Sequence, residues 1–277
     1  MAFLQMEIYS DSLRRNTEVG VCIPERYMGG KTDNHDVAEW DRDWGEWPVI
    51  WLLHGASSNY LDWWRFSSVE RYAEEYGFAV VTFSGELSFY ANINTGRFFD
   101  WASEELPAKL AAMLPISTDP DKNFVAGFSM GGHGTMKLVF TKPEKFAAAC
   151  IMSAGNLLLT GWEHSSPRMT KDHALYLGST VPEDLFGGEH DVHYLAEEAM
   201  KSGKKLPKLL YTCGPDDLAY KGSQETYAVL KKLGYDVTWD QSPGIHNFDY
   251  WDQKILLFFR WIKENGLYPE NIKYDAR

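Results

Sequence analysis

The chain is short of cysteine, of positive charge and of long apolar runs, and each shortage removes a class of protein. Its three cysteines, Cys22, Cys150 and Cys213, are odd in number and too few to staple 277 residues. Each lies in an apolar, strand-like run, so buried free thiols are expected in place of a disulfide framework. Lysine and arginine total 27 against 39 aspartates and glutamates, a formal net charge of −12. Basic residues cluster only in short pairs such as Lys204-Lys205 and Lys231-Lys232, which read as solvated helix ends. Nucleic acid and anionic membrane are therefore not expected partners, because phosphate surfaces are bound by basic patches. No run approaches the roughly 18 apolar residues that a membrane-spanning helix requires. The opening "MAFLQMEIY" has no basic region, no long apolar stretch and no cleavage site. A soluble, cytoplasmic protein is expected. Low-complexity tracts and internal repeats are also absent.

What is present is a large apolar fraction, 44% of residues with 15% aromatic, enough for one sizeable core. One large α/β domain over 1–277 is expected in preference to two small ones. "FLQMEIYS" and "EVGVCIP" read as two strands joined by a polar turn. "PVIWLLHG", "FAVVTFS", "NFVAGFS", "FAAACIMSAG" and "KLLYTCG" are nearly continuous apolar runs, the pattern of strands covered on both faces. "DVTWDQS" adds a last strand. Between them lie helical patterns at about Asp62–Tyr76, 100–114 with Pro107 inside, Gly131–Phe140, Ser223–Leu233 and Tyr250–Asn265. Such alternation predicts a mostly parallel central sheet with helices on both faces, and antiparallel N-terminal strands at one edge. Over residues 156–205 the alternation lapses, which predicts an insertion or cap.

One stretch breaks the apolar pattern in a way that chemistry explains. "AGFSMGGHG", residues 126–134, places Ser129 in Gly127-Phe128-Ser129-Met130-Gly131, a G-x-S-x-G between a predicted strand and a predicted helix. That context is a nucleophile elbow, in which flanking glycines allow a sharp bend and raise the serine above the sheet. The alternative is a glycine-rich turn that happens to hold a serine. A serine hydroxyl needs a base, and the base needs a third group to orient it. In an elbow fold these follow in the order serine, acid, histidine, each after a later strand. "KLLYTCG" ends in Pro215-Asp216-Asp217, leaving two acids open, and "DVTWDQS" leads into Pro243-Gly244-Ile245-His246. His246 is the only histidine after His193. Two backbone N–H groups are needed for the oxyanion, and position assigns them to Met130 and to Ala56 in "LLHGASSN".

The other histidines carry plainer expectations. His54 is read as structural support beside the oxyanion loop, and His133 as a packing or capping residue. His190 and His193, with Glu189 and Asp191, lack the cysteines or H-E-x-x-H spacing of a metal centre and read as a solvated turn. No metal and no cofactor are expected. Trp40, Trp44 and Trp47, and separately Trp63-Trp64, are either ordinary core or a platform for sugar rings.

With these motifs in view, the chain resembles the esterase D-like branch of the α/β-hydrolases. That branch includes tributyrin-type esterases, acetyl xylan and feruloyl esterases of carbohydrate esterase family 1, and S-formylglutathione hydrolases. The resemblance is carried by "WLLHGASSNYLDWW", "FYANINTGRFFDWASEELP", "GFSMGGHGTMKLVFTKPEKFAA", "TCGPDDLAY" and "SPGIHNFDYWD", spread over most of the chain. It implies an α/β-hydrolase fold and a triad of Ser129, Asp217 and His246, with N–H donors at Met130 and Ala56. Asp217 is preferred over Asp216 because related chains place the acid three residues after the strand-ending glycine, here Gly214. Two stretches depart from the pattern, a longer and Trp-richer loop from Gly29 to Trp47 and the segment 156–193, so no substrate-binding residue is carried over.

The implied activity is a serine carboxylesterase on short acyl esters, extending to carbohydrate or hydroxycinnamoyl substrates, with a small-molecule ester as the partner. A thioesterase of the S-formylglutathione hydrolase kind is the alternative within the fold. "LLHGASSN" lacks the cysteine those enzymes carry close after the oxyanion residue, which favours the oxygen ester. A non-catalytic binding protein on the same scaffold is a third reading, set against the intact serine, aspartate and histidine. A homo-oligomer is left open.

Overall fold

A computed structural model of the chain describes residues 1–24, 45–160, 176–179 and 181–268. Among the described residues ten strands occur in chain order: β1 (Ala2–Ser10), β2 (Arg15–Ile23), β3 (Val49–Leu53), β4 (Ala79–Phe83), β5 (Asn92–Ile93), β6 (Gly96–Arg97), β7 (Asn123–Phe128), β8 (Ala148–Met152), β9 (Lys208–Thr212) and β10 (Val237–Asp240). Eight of them form one sheet in the order β1-β2-β4-β3-β7-β8-β9-β10, and β5-β6 is a separate ribbon. β2 is antiparallel to both its neighbours, and every other pairing in the large sheet is parallel. This is the mostly parallel sheet with an antiparallel N-terminal edge that the apolar runs predict.

Period-two alternation along the central strands sorts the core into two layers. Val49, Trp51 and Leu53 of β3 point to one face, where they join Val125 and Ile151. Ile50 and Leu52 point to the other, with Phe124, Ala126 and Cys150. Helices cover both. On the second face lie α1 (Asp62–Phe66), α2 (Val69–Tyr76) and, from the far end of the chain, Phe248–Glu264, whose Tyr250, Trp251, Ile255, Phe258 and Phe259 are buried. On the first face lie α3 (Phe98–Asp100), α4 (Leu106–Met113) and α5 (Met130–Thr141). All three cysteines are free and buried.

Three local differences from the sequence reading have physical causes. The single helix expected over 62–76 is broken, because Ser67 adopts an extended backbone and the Ser68 N–H donates to Asp252 Oδ1 at 2.7 Å. Serines that find such partners compete with helical bonds. The helix expected over 100–114 contains a π-turn, Trp101–Glu105, just before Pro107, and the Ser103 carbonyl four residues ahead of that proline accepts from Lys145 Nζ at 2.7 Å in place of the missing N–H. The β5-β6 ribbon is too short to show a period in the sequence.

The expected insertion over 156–205 is described only in part, since 161–175 and 180 lie outside the described residues. Within it, α6 (Leu157–Thr160) is a single turn, while α7 (Val192–Lys201) belongs to the main layer. Val192, Ala196 and Ala199 of α7 sit in the core, and α7 packs beside α5. Asp191 caps α7 by accepting from the His193 and Tyr194 N–H groups. α8 (Tyr220–Leu233) and α9 (Phe248–Glu264) complete the helices.

His190 is not in a solvated turn, as its glycine-rich surroundings imply, but buried at 5% exposure beneath α7's start. His193 reaches Thr226 Oγ1 at 3.0 Å. Among the described residues no cluster of histidine, cysteine or carboxylate side chains could hold a metal. α5 is buried from Met130 to Phe140, including His133 and Lys137, whose Nζ lies 3.3 Å from Glu189 Oε2. Burial, with Lys137 close by, pushes the His133 imidazole down to about 3 and that of His190 down to about 2. Both rings are therefore neutral in the fold and free to protonate once unfolded.

The sign follows directly. A histidine lowered in the folded state leaves stability intact above its unfolded value, roughly 6.5, and erodes it as pH falls below that. Thermal unfolding should show a melting temperature that drops steadily from pH 6.5 to 4. Each ring held neutral adds about 1.4 kcal/mol per pH unit in that window. His133→Leu should remove close to one such contribution, read as a shallower pH slope. An unchanged slope would mean that His133 titrates normally in the fold.

Candidate active site

Ser129 stands at the end of β7, the fifth strand of eight, and immediately before α5. Its backbone is at φ 54°, ψ −120°, a left-handed conformation that costs a non-glycine residue on the order of 1–3 kcal/mol. The strain is held by hydrogen bonds on both sides. Its N–H donates to Met152 O at 3.0 Å, and its carbonyl accepts from the His133 N–H at 3.0 Å. The flanking glycines are required by close approach. A Cβ on Gly127 would stand 2.5 Å from the carbonyl carbon of Gly131, and one on Gly131 would stand 2.7 Å from the His54 oxygen. Met130 opens α5, and the first N–H groups of a helix have no partner within it.

The two later loops converge on this serine. His246 follows β10, with Nε2 2.9 Å from Ser129 Oγ and Nδ1 2.8 Å from Asp217 Oδ1. Asp217 follows β9 on a turn closed by its own N–H to Gly214 O at 3.0 Å, and its side chain is fully buried. Asp216, beside it, is exposed. The two loops touch at glycines, since a Cβ on Gly214 would lie 2.6 Å from the Gly244 carbonyl carbon. Burial alone would raise the Asp217 carboxyl. Hydrogen bonds from His246 and from the Ala219 N–H, the latter 2.7 Å from Oδ1, outweigh it and hold the group below the usual carboxylate range. With Asp217 ionised, the imidazole proton belongs on Nδ1, leaving the Nε2 lone pair toward the serine hydroxyl.

The loop after β3 is fixed by His54. Its Nε2 accepts from the Gly85 N–H at 2.7 Å, so Nδ1 carries the proton and donates to Gly55 O at 2.7 Å. Burial lowers the His54 imidazole, in keeping with a neutral structural ring. The Tyr90 hydroxyl donates to His54 O at 3.0 Å. Gly55 abuts Ser129, where a Cβ would be 3.4 Å from Ser129 Cβ, and Ala56 is the next residue. Tyr90 and Gly85 carry no sequence signal for this bracket, because their roles are made by contacts between separate loops.

Trp251 also falls outside the sequence reading. Its ring meets His246 edge-on at 5.1 Å and stacks on Phe128 at 4.0 Å. The tryptophan platform is not found among the described residues. Trp47 and Trp63 are buried, and Trp64 packs on Phe3 and donates to Thr82 Oγ1 at 2.7 Å. Trp40 and Trp44 lie outside the described residues.

Comparison with known proteins gives a consistent picture. A family model described as "Putative esterase" matches residues 10–261. An acetyl esterase of Caldicellulosiruptor saccharolyticus is 26% identical over 274 residues, 95% of this chain and 99% of that protein. Among solved structures, the substrate-bound serine hydrolase FphF of Staphylococcus aureus, which binds fluorophosphonates, superposes with a TM-score of 0.83. It is 29% identical and covers 94% of this chain and 98% of its own. The apoenzyme of an S-formylglutathione hydrolase (FrmB) from the same organism gives 0.82, again at 29% identity, covering 94% of this chain and 98% of its own.

The glycine contacts yield a direct test. Gly131→Ala forces a methyl group into the His54 and Leu53 carbonyls, where only backbone could yield. Denaturant unfolding should show a loss of at least about 3 kcal/mol, the upper end of overpacking costs, or no folded protein. A variant as stable as the parent would mean that the helix and strand are not pressed together here.

Proposed function

The chain belongs to the esterase family and is a serine hydrolase of the α/β-hydrolase fold, and on that premise we propose that Ser129, His246 and Asp217 hydrolyse short-chain acyl esters. The observation that carries the reading is the unbroken chain of bonds from Ser129 Oγ through both ring nitrogens of His246 to Asp217. Short acyl groups are favoured by the acetyl esterase relative, which this chain matches over nearly its whole length.

Each residue then has one task. His246 Nε2 takes the proton of Ser129 Oγ as the oxygen attacks the ester carbonyl carbon. The carbonyl oxygen gains the negative charge, which the N–H groups of Met130 and Ala56 receive, aided by the positive end of α5. Collapse of the tetrahedral species breaks the bond to the leaving alkoxide, and His246 returns the proton to it. An acyl group remains on Ser129. Water, deprotonated by His246, attacks that acyl carbon, and a second collapse restores the serine and releases the acid. Asp217 holds the Nδ1–H tautomer throughout and stabilises the imidazolium. No step calls on a metal or cofactor.

A thioester reading is favoured by one observation, the match at 29% identity to an S-formylglutathione hydrolase. Parallel assays with p-nitrophenyl acetate, tributyrin, acetylated xylan, a methyl hydroxycinnamate and S-formylglutathione separate the substrates by kcat/KM. The oxygen-ester reading fails if S-formylglutathione is preferred by orders of magnitude.

Ser129→Ala should lower kcat on the order of 10⁶-fold with the fold intact by circular dichroism. Retention of a tenth of the parent rate would remove Ser129 from the mechanism. Asp217→Asn should fold yet lose roughly 10⁴-fold, the cost of the wrong imidazole tautomer, while Asp216→Asn loses about tenfold or less. The reverse ranking would exchange the two acids.

A further inference from the structure

Ser153 follows β8 directly, between the strand that carries Ser129 and the strand that leads to Asp217. Its N–H donates to Thr212 O at 2.8 Å, and the Ser129 N–H donates to the neighbouring Met152 O. Two adjacent parallel strands thus end in serines, both in the left-handed region, Ser129 at φ 54° and Ser153 at φ 51°. Such strain in a non-glycine residue persists only where the surroundings impose it, and it clusters at working sites. At Ser129 the strain raises a hydroxyl above the sheet. Ser153 has no such exposure, with 1% of its surface accessible.

Its hydrogen bonds say where the hydroxyl goes. Trp251 Nε1 donates to Ser153 Oγ across 3.0 Å of buried space. An indole N–H can only donate, so Ser153 is the acceptor in that bond and its own proton is free for another group. Asp217 supplies the acceptor. Its Oδ1 takes the bonds from His246 and Ala219, while Oδ2 is buried with no bond closed on it among the described residues. A buried, ionised oxygen without a donor is costly, so a nearby hydroxyl is drawn to it. Ser153 is among the groups that hold the Asp217 carboxyl low against the opposing effect of burial, after His246 and the Ala219 N–H. The competing acceptor is the Cys213 thiol. Burial pushes it up to about 12, so it stays neutral and attracts a proton less than a carboxylate does.

We infer that Ser153 is a positioning residue, its hydroxyl donating to Oδ2 of Asp217 and its own rotamer fixed by the Trp251 indole. The inference rests on the proposed roles of Ser129, His246 and Asp217. It extends the bonded chain to five residues: Trp251, Ser153, Asp217, His246 and Ser129. Trp251 enters it twice, through its N–H at Ser153 and through its ring edge against His246. Both carboxylate oxygens are then engaged, so the carboxyl plane cannot rotate away from the imidazole.

The test compares Ser153→Ala, Ser153→Gly and Trp251→Phe with the parent. Ser153→Ala removes only the hydroxyl. Ser153→Gly removes it and relieves the left-handed strain, and Trp251→Phe keeps an aromatic ring against His246 while removing the indole N–H. Both Ser153 variants should lower kcat about tenfold with KM within about twofold, the pattern of a loss in orientation and not in binding. The acid limb of kcat/KM should move to higher pH by about half a unit, because a carboxylate relieved of one donor favours the imidazolium more strongly. Trp251→Phe should fall between them and the parent, about threefold down in kcat. The far-downfield proton resonance of His246 Nδ1–H should shift in all three.

Parent-like kcat, acid limb and resonance in Ser153→Ala would overturn the inference, as would a rate restored in Ser153→Gly, which would assign the effect to strain alone. Ser129→Ala run alongside separates this failure from the larger one. If that variant is dead while Ser153→Ala is unaffected, only Ser153 is misassigned; if it stays active, the site itself is misassigned.

Discussion

The contact on which the rest of the molecule depends is the backbone-to-backbone approach between β7 and the start of α5. Gly127 and Gly131 bring carbonyl groups of β3 and α5 to distances that no side chain would permit. That approach makes the turn tight enough to force Ser129 to φ 54° and sets it at the opening of a helix buried along nearly its whole length. A helix so enclosed cannot shift without disturbing the packing on every side, which is how about 1–3 kcal/mol of local strain is retained. Position in the sheet matters equally. β7 lies between β3 and β8, so the serine is flanked by the loops that follow both neighbours.

Around that fixed point the remaining loops are locked by small, specific contacts more than by broad apolar packing. Gly214 and Gly244 let the loops after β9 and β10 touch, which brings a buried carboxylate and a half-buried imidazole into one line with the hydroxyl. His54 does the corresponding work on the other side by bridging Gly55 and Gly85 as a neutral ring. Protonation would remove the lone pair that receives the Gly85 N–H, so burial and geometry both keep it uncharged. The proposed triad therefore sits among polar groups whose protonation states are set by their surroundings, at the edge of central strands that are mostly apolar on both faces.

Much of this was legible in the residues. The apolar runs located the central strands because a parallel strand covered on both faces has no polar side to show, and "VIWLL", "AVVTF" and "AACIM" are such runs. Ser129, Asp217 and His246 stood out because small residues and prolines interrupt those runs where strands end. The reading faltered where polarity and burial part company. "EHDVHYLAEEAMK" looks like a surface loop, yet His190 is buried and α7 packs on α5, because Asp191 spends its charge as a cap and the helix buries only valine and alanine. The split between α1 and α2 was invisible for a related reason, since Asp252 lies 184 residues from the Ser68 N–H it accepts.

The sequence by itself determined the α/β alternation, the elbow and the order of serine, acid and histidine, because these are local: each depends on residues within a few positions of one another. The burial of Asp217 against the exposure of Asp216, the bracket of His54 between two loops, and the contacts of Trp251 with His246 and Ser153 were decided by tertiary structure alone. They depend on distances between segments that meet only when the sheet is assembled, and a hydrogen bond across such a distance leaves no period, spacing or composition to read.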